Sequence, residues 1–504
     1  MKNDSRNAVP MLHTNRPGRQ MNGKQVFMGL AVFMAAFVLS GCSVYQSKVD
    51  GVEIAMPGHY AEQEKAAAEQ IEQKGVVVDK FWRYFNDERL NAIVDEALDN
   101  NLDIVQGYER LRQAEALVEI AASPRLPFVN INGRAGREKQ LSFFGAGTGD
   151  SYSLSLEAGY EVDLWKKLAN RDAAAEYNLL ATREDLKTIY LGIAASVTDL
   201  YYVIIEQQAQ LVLTDKIVAT YKDRLERIEQ RYEEGLIPAL DVYQARENIL
   251  QAKSQQPLYE AAIANATHAL SVLLGRFPEA DLLGKISRIP DIDERFSTGM
   301  PAAMLQRRPD IKSAFLLLQA QDAETAAAVA DRFPSFNLLA GYGTAGIDYA
   351  TSLTGTFWSI FVNATQPLFD AGRRKAEVRR NEALFRARAA NYRQTVLEAV
   401  REVEDALSGI RAVEKRIALL QERLEASDST LRLAEDRYFV GLSDYLPVLT
   451  AQQLNFQAQQ ELLAARKNLI SEHISLLRAL GGAWMDEQIA GFREKRMDKT
   501  GEGQ

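Results

Sequence analysis

The chain states one pattern twice, at a separation no small repeat unit has. Arg231-Tyr232-Glu233-Glu234-Gly235-Leu236 returns as Arg437-Tyr438-Phe439-Val440-Gly441-Leu442, a shift of 206 positions (437 − 231), and Leu274-Gly275 returns as Leu480-Gly481 at the same shift. Pro124-Arg125-Leu126-Pro127 has a looser echo in Asp331-Arg332-Phe333-Pro334, one residue out of step. Solenoid units repeat at about 20 to 50 residues, so this is a duplicated half, and it predicts a pseudo-two-fold body. The 504 residues would suggest about three domains by length alone; the repeat reads them as two equivalent halves.

Each half contains a pair of period-two segments. From Ser151 to Asp163, Tyr152, Leu154, Leu156, Ala158, Tyr160 and Val162 alternate with Ser151, Ser153, Ser155, Glu157, Gly159, Glu161 and Asp163. Period two sends these sets to opposite faces of a strand. Residues 128–135 supply the partner strand, with Asn130, Asn132 and Arg134 on its polar face. The second half repeats the pair at about 335–345 and 356–368, where Phe357 and Phe361 blur the polar side. A half-buried soluble sheet would show this alternation, and so would the wall of a membrane barrel, apolar outside and polar inside. Gly145-Ala146-Gly147-Thr148-Gly149 reads as a polar turn.

Helical period precedes the first strand pair and follows both pairs. It runs from about Asp87 to Ala122, where Pro124 and Pro127 stop it. It resumes from Leu164 to about Glu234 without a proline, a rod of about 100 Å at 1.5 Å per residue. A turn at Gly235-Leu236-Ile237-Pro238 leads to a return helix from about Ala239 to Leu274. The second half runs from about Ala371 to Arg437, turns at Gly441 and returns from about Tyr445 to Leu480. Near the turns both long helices carry a 3,4 spacing: Leu211, Thr214, Val218, Tyr221, Leu225, Ile228 and Tyr232, then Ile417, Leu420, Leu424, Ser427, Leu431, Ala434 and Tyr438. The return helix answers with Val448, Ala451, Asn455, Ala458, Leu462, Ala465 and Leu469. Heptads of this kind pack as left-handed coiled coils.

The N-terminus reads as an address. Val26 to Leu39 is apolar, follows Arg16, Arg19 and Lys24, and ends in Leu39-Ser40-Gly41-Cys42. About 14 residues are too few to cross a bilayer, which takes about 20, but suit the core of a secretory signal. Cys42 is the single cysteine, and Leu39-Ser40-Gly41-Cys42 resembles a bacterial lipoprotein signal, which implies cleavage before Cys42 and a lipid anchor on it. Met21 is an alternative start to Met1. The residues also exclude classes of function. A net charge of −9 gives no reason to expect nucleic acid. The histidines, at 13, 59, 268 and 473, have no metal-ligand spacing, and no phosphate loop or nucleophile elbow is present. The Arg- and Lys-rich start of the second long helix, from Arg373 to Arg393, reads as a solvated face or a contact for anionic lipid head groups.

Four strands cannot close a barrel, and lipid tolerates no open sheet edge. The sheet must therefore close by oligomerisation, with two or three chains. Leu39-Ser40-Gly41-Cys42, the paired Arg-Tyr-x-x-Gly turns, Pro367-Leu368-Phe369-Asp370-Ala371-Gly372-Arg373-Arg374 and Arg307-Arg308-Pro309-Asp310-Ile311 together resemble the TolC-type outer-membrane efflux proteins. Within that family they are most similar to the lipoprotein branch of NodT or OprM type, over about Phe81 to Gly482. The resemblance implies an α+β membrane protein: a homotrimer with a β-barrel of four strands per chain, continued by a long α-helical coiled-coil periplasmic barrel. It implies a lipidated (palmitate-bearing) Cys42, outer-membrane localisation, a periplasmic adaptor (membrane fusion) protein and an inner-membrane pump of RND type as partners. The channel would do no chemistry and hold no cofactor beyond that lipid. A type I secretion outlet for proteins is the nearest alternative within the family, and a coiled-coil scaffold lipoprotein is the alternative outside it.

The expected organisation is a signal peptide over 1–41, a lipidated tether over 42–80, a first efflux repeat over 81–275, a linker over 276–300, a second repeat over 301–482 and a polar tail over 483–504. Aligned on the second turn, the family's periplasmic gate falls on Tyr438, Ser443, Leu446, Pro447 and Thr450. Pro447 and Thr450 stand where some relatives carry carboxylates, so the expected constriction is Leu446 with Asp444, supported by Tyr438; the other reading has Leu446 merely packing the hairpin. The adaptor-docking tips are Arg231, Tyr232, Gly235, Arg437, Gly441 and Leu442.

Overall fold

The computed structural model describes residues 44–52, 54–62, 80–142, 145–284, 289–290, 307–348 and 355–500. Cys42, the signal segment and most of the 276–300 linker lie outside the described residues.

A short turn of helix, Phe81–Phe85, precedes α1 (Glu88–Asn100) and α2 (Leu102–Ala122). The helical pattern over 87–122 is thus two helices and not one. Asn101 divides them by accepting hydrogen bonds from the Asp103 and Ile104 amides at 2.8 and 3.3 Å, which caps the second helix and ends the first. Then come β1 (Phe128–Ser142) and β2 (Gly145–Val162). Gly145, Gly147 and Gly149 belong to β2, paired with Ser142, Gln140 and Glu138, so the hairpin is longer than the alternation indicated and the expected turn there is corrected. Glycine-rich strand residues carry no side-chain period to read.

The 67-residue helix α3 (Lys167–Glu233) follows. The return is split into α4 (Ala239–Lys253) and α5 (Gln256–Leu273), in place of the single helix expected. Pro257 removes an amide donor at that point and can sit only in a helix's first turn. The second half lacks this break, because its equivalent position is Leu463. It runs α6 (Pro309–Ala330), β3 (Ser335–Gly346), β4 (Thr356–Thr365), a second 67-residue helix α7 (Arg373–Phe439) and an unbroken 35-residue α8 (Leu446–Leu480). β4 stops at Thr365, short of the expected 368, since Pro367 cannot pair. Residues after 483, expected as a polar tail, form α9 (Met485–Thr500), and Trp484, Met485, Ile489 and Phe492 are buried.

The strands make one antiparallel sheet in the order β1-β2-β3-β4. The register stacks Ile131, Leu156, Tyr342 and Trp358 in one row and Val129, Ala158, Ala340 and Ile360 in the next. That face is apolar and largely exposed. The other face carries Asn130, Glu157, Gly341 and Ser359 in one row. The sheet has no core of its own, and the outer edges of β1 and β4 have no partner strand among the described residues. Sheet joins helix at two equivalent corners. Lys166 (φ 59°) precedes α3 and Gly372 (φ 83°) precedes α7. In each corner an aspartate accepts the next helix's amides: Asp163 from Ala169, Asp370 from Gly372 and Arg374.

The core lies partway along the helices, where the return helices end. Trp82 and Trp484 meet edge to face at 4.8 Å, Phe85 packs on Tyr202 at 5.2 Å, and Tyr108 on Phe492 at 5.4 Å. The pseudo-symmetry reaches single hydrogen bonds here. Asn101 donates to the Leu273 carbonyl at 2.9 Å and Arg308 to the Ala479 carbonyl at 3.1 Å. Arg308 is buried and neutralised by Asp310 and Glu402, both at 2.7 Å. The repeated Leu-Gly pair ends each return helix against the same point: a Cβ on Gly275 (φ 71°) would lie 2.5 Å from the Asn100 carbonyl oxygen, and on Gly481 (φ 74°) 2.8 Å from that of Arg307.

Residues 47–52 and 54–62 form a strap along α6 and α7. Lys48 pairs with Glu382 at 3.0 Å, and its amide donates to Asp322. The Ala61 and Glu62 amides donate to Glu404, and Arg411 pairs with Glu62 at 2.6 Å. Tyr60 is fully buried.

Gly275→Ala combines a left-handed backbone with a clash against main chain that cannot move as a side chain would. It is expected to destabilise by about 2 kcal/mol or more. Thermal unfolding of the detergent-purified protein should fall by several degrees, whereas Gly192→Ala, where nothing crowds the new Cβ, should leave the transition in place or raise it.

Candidate gate and docking tip

The two long helices end on the same turn. Gly235 (φ 72°) and Gly441 (φ 77°) take the left-handed conformation that glycine adopts without strain. The Gly235 amide donates to Tyr232 and that of Leu236 to Arg231, both at 2.9 Å; those of Gly441 and Leu442 donate to Tyr438 and Arg437 at 3.0 and 2.8 Å. This double closure satisfies the last helical carbonyls. Around the turns Leu236, Leu240, Tyr243, Val440 and Leu442 are exposed, a contiguous apolar tip of the kind that marks an interaction site.

The matched turns are not used alike. Tyr232 is exposed, whereas its repeat mate Tyr438 is 3% exposed. The Tyr438 hydroxyl donates to Asp241 Oδ2 at 2.9 Å, reaching from the second hairpin to the first turn of the first return helix. Its ring packs on Tyr445 at 5.2 Å and lies under the Arg231 guanidinium at 5.7 Å. Arg231 donates to the Phe439 carbonyl. Arg437, its repeat mate, is exposed. Arg231 is therefore turned inward as a bracket between hairpins and is not presented as a docking residue. Tyr232, Gly235, Arg437, Gly441 and Leu442 are exposed at the tip.

A seam of polar contacts continues above this bracket. Arg224 pairs with Glu435 at 2.6 Å, Tyr221 donates to the Gln452 carbonyl at 3.2 Å, and Asn248 donates to Gln452 Oε1 at 2.9 Å. Ile228, Val242, Ala245 and Val448 fill the space between. Burial first, and then the bond to Asp241, hold the Tyr438 hydroxyl well above the ordinary tyrosine value; burial pushes Tyr445 up to about 12. Both hydroxyls are neutral at any physiological pH. Leu446 is 60% exposed and so does not serve to pack its own hairpin. Asp444 and Thr450 are exposed, and the Thr450 hydroxyl donates to the Leu446 carbonyl at 3.0 Å.

Sequence reading placed Tyr438 and missed its partner. Asp241 stands at the position of Pro447 in the other repeat, and that break in the repeat is the signal that finds it. The basic start of α7 is partly neutralised: Arg374 pairs with Asp331 and Asp370, and Arg380 with Glu377. Arg373, Lys375, Arg379, Arg386, Arg388 and Arg393 are exposed.

The duplicated fold has known counterparts. The sequence pattern of the outer membrane efflux protein family matches residues 93–276 and 300–482, one match per half. The toluene efflux pump outer membrane protein TtgF of Pseudomonas putida is 32% identical over 472 residues, covering 92% of this chain and 97% of that protein. The solvent efflux pump outer membrane protein SrpC of Pseudomonas putida is 31% identical over 479 residues, covering 92% and 99%. The solved outer-membrane channel OprN superposes with a TM-score of 0.79 at 27% identity, over 86% of this chain and 98% of that one.

Tyr438→Phe leaves the Asp241 carboxylate buried without its donor, a loss of about 1–3 kcal/mol. Amide exchange over residues 434–452 should speed up by about tenfold, since 1.4 kcal/mol is a factor of ten, while exchange in the sheet stays unchanged. The raised value of the Tyr438 hydroxyl fixes the sign with pH. Its contribution is fully present below the ordinary tyrosine value of about 10 and is lost only as pH rises through the higher folded value. Tip protection, corrected for intrinsic exchange, should be flat between about pH 6 and 9 as far as this group is concerned.

Proposed function

This chain belongs to the outer membrane efflux protein family, and from that premise we propose how it works as the outer-membrane component of an efflux pump. It is an outer-membrane efflux channel that extends into the periplasm. The observation that carries the mechanism is a sheet with one exposed apolar face and two unpaired edges, continuous at both corners with 67-residue helices. In lipid each unpaired edge group is severely destabilising, so β4 of one copy pairs with β1 of the next. Three copies give a barrel of ordinary size for an outer membrane. The helices, leaving the sheet directly, continue that barrel as a tube of about 100 Å. The polar face lines it, cargo passes by diffusion, and the channel itself makes and breaks no covalent bond.

The tube closes at its far end. Leu446, with Asp444 and Thr450 beside it, forms the constriction, and the Tyr438–Asp241 and Arg231–Phe439 links hold the second hairpin against the first. Opening separates the hairpins along this seam. The apolar turns around Gly235 and Gly441 are the surface for a periplasmic adaptor, which in turn recruits an inner-membrane pump of the RND type; the energy comes from that pump. Names of relatives that refer to toluene and solvents support small apolar molecules as cargo.

Cys42 carries the lipid. The six residues from Cys42 to Lys48 reach at most about 20 Å, and Lys48 is held to Glu382, about 14 Å along α7 from its sheet end. That reach suits an anchor in the inner leaflet. The exposed arginines at the start of α7 suit the same head-group layer. No other prosthetic group is required.

Leu446→Gly tests the gate. In a planar bilayer the wild type should carry a small current and the variant one several-fold larger. Equal open currents in both would keep the channel and remove Leu446 from the gate; silence from both folded proteins would remove the channel.

A further inference from the structure

The lumen-side face of the sheet is polar except for one complete row and the single Phe357. The registers set Phe128, Gly159, Leu339 and Phe361 side by side across all four strands. The next row toward the helices is Glu161, Asn337 and Asn363; the next row away is Asn130, Glu157, Gly341 and Ser359. Phe128, Leu339 and Phe361 are all exposed. Glycine at 159 is what makes the row continuous. A Cβ there would overlap the Phe128 ring and stand 3.1 Å from Leu339 Cδ2, so the ring lies across the glycine toward Leu339. Phe357 stands two rows further out on the same face, paired with Gly343.

The dimensions limit what can cover this row. Same-face neighbours along a strand are about 7 Å apart, and three strand spacings come to about 14 Å. The apolar band is therefore one side chain high and several wide. A helix is about 10 Å across and would press Glu157 or Glu161 against its own apolar side. A lipid chain is excluded because the bilayer covers the opposite face. A flat ring or a short hydrocarbon fits the band and leaves the polar rows in water.

We propose that the Phe128–Leu339–Phe361 row is a transient binding station for small apolar or aromatic cargo, placed just inside the barrel above the helical tube. It rests on the channel reading and adds to it a place where cargo touches the wall. Apolar cargo arriving through a polar tube sheds part of its hydration at this row. One rung of contact keeps the stay short enough for onward release. In the closed barrel the row repeats once per copy and forms a girdle.

The test is single-channel recording of the full-length protein, in wild type or, where the wild type is too closed, in Leu446→Gly. The probe is 1-naphthylmethylammonium, added from the sheet side, with methylammonium as the ring-free control. The naphthyl probe should cause brief blockades that the control does not. Phe128→Ser with Phe361→Ser should shorten them by at least about fivefold, in line with the loss of apolar contact area, and leave the potassium chloride conductance in place. Phe361→Leu should retain most of the dwell time. Gly159→Ser, which displaces the Phe128 ring, should shorten it without removing an apolar residue. Blockades of equal length in the serine variants, or no blockades in a conducting wild type, would overturn the station and leave the channel standing. Absence of current from folded wild type and folded Leu446→Gly would overturn the channel and the station with it.

Discussion

Everything in this molecule follows from a sheet that is too small. Four strands with an apolar face to the bilayer present two edges whose amides and carbonyls have no partner strand among the described residues, and hydrocarbon offers those groups no partner. A soluble protein would bury such a face under helices. Here the helices leave from the strand ends and run away from the sheet, so they cannot cover it. Pairing between copies is the remaining solution, and once the sheets close the helices have no choice but to form a tube. The left-handed corners at Lys166 and Gly372, each held by an aspartate, transmit the closure from one part to the other.

Duplication supplies the parts, and its local failure supplies the seam on which the proposed opening rests. Along most of the chain the two halves do the same thing, down to the carbonyl that Asn101 and Arg308 each engage. At the tips they diverge. Tyr438 is buried where Tyr232 is exposed, Arg231 is bracketed where Arg437 is exposed, and Asp241 stands where the other half has Pro447. A symmetric pair of hairpins would have no reason to part on one side. Unequal contacts make one seam, of one hydrogen-bonded tyrosine, one bracketing arginine and the Arg224–Glu435 pair, that a partner could open without unfolding either hairpin.

The legible parts of the fold were those with a long period. The strand alternation from Ser151 to Val162 and the heptads ending at Tyr232 and Tyr438 each repeat often enough to overrule any single residue, and the 206-residue shift checked one half against the other. What stayed illegible was decided by single residues or by contacts distant in sequence. Asn101 cuts a helix because its side chain caps the next one. Pro257 breaks a return helix whose repeat mate has Leu463. The glycines at 145–149 belong to a strand because β1 pairs with them. Trp484 and Phe492 looked like part of a polar tail because their neighbours are charged, yet Trp484, just before α9, packs on Trp82 and Phe492, within α9, packs on Tyr108. At the tip, Tyr438 was legible from the repeated motif, whereas Asp241, almost two hundred residues away, becomes visible only when the hairpins pack.

The most direct test of closure between copies is a disulfide across the open edges. Within one chain β1 and β4 are separated by β2 and β3, about 14 Å, twice the Cα separation of about 7 Å that a disulfide allows. A cysteine at Asn130 on β1, combined in turn with cysteines at Ser359, Asn363 and Thr365 on β4, can therefore bond only between neighbours. Oxidation in intact cells should give one register in which all the protein runs as a covalent trimer on a denaturing gel and returns to monomer on reduction. A ladder that stops at the dimer, or no bond at any register in folded, membrane-inserted protein, would contradict closure of the barrel by three copies of this sheet.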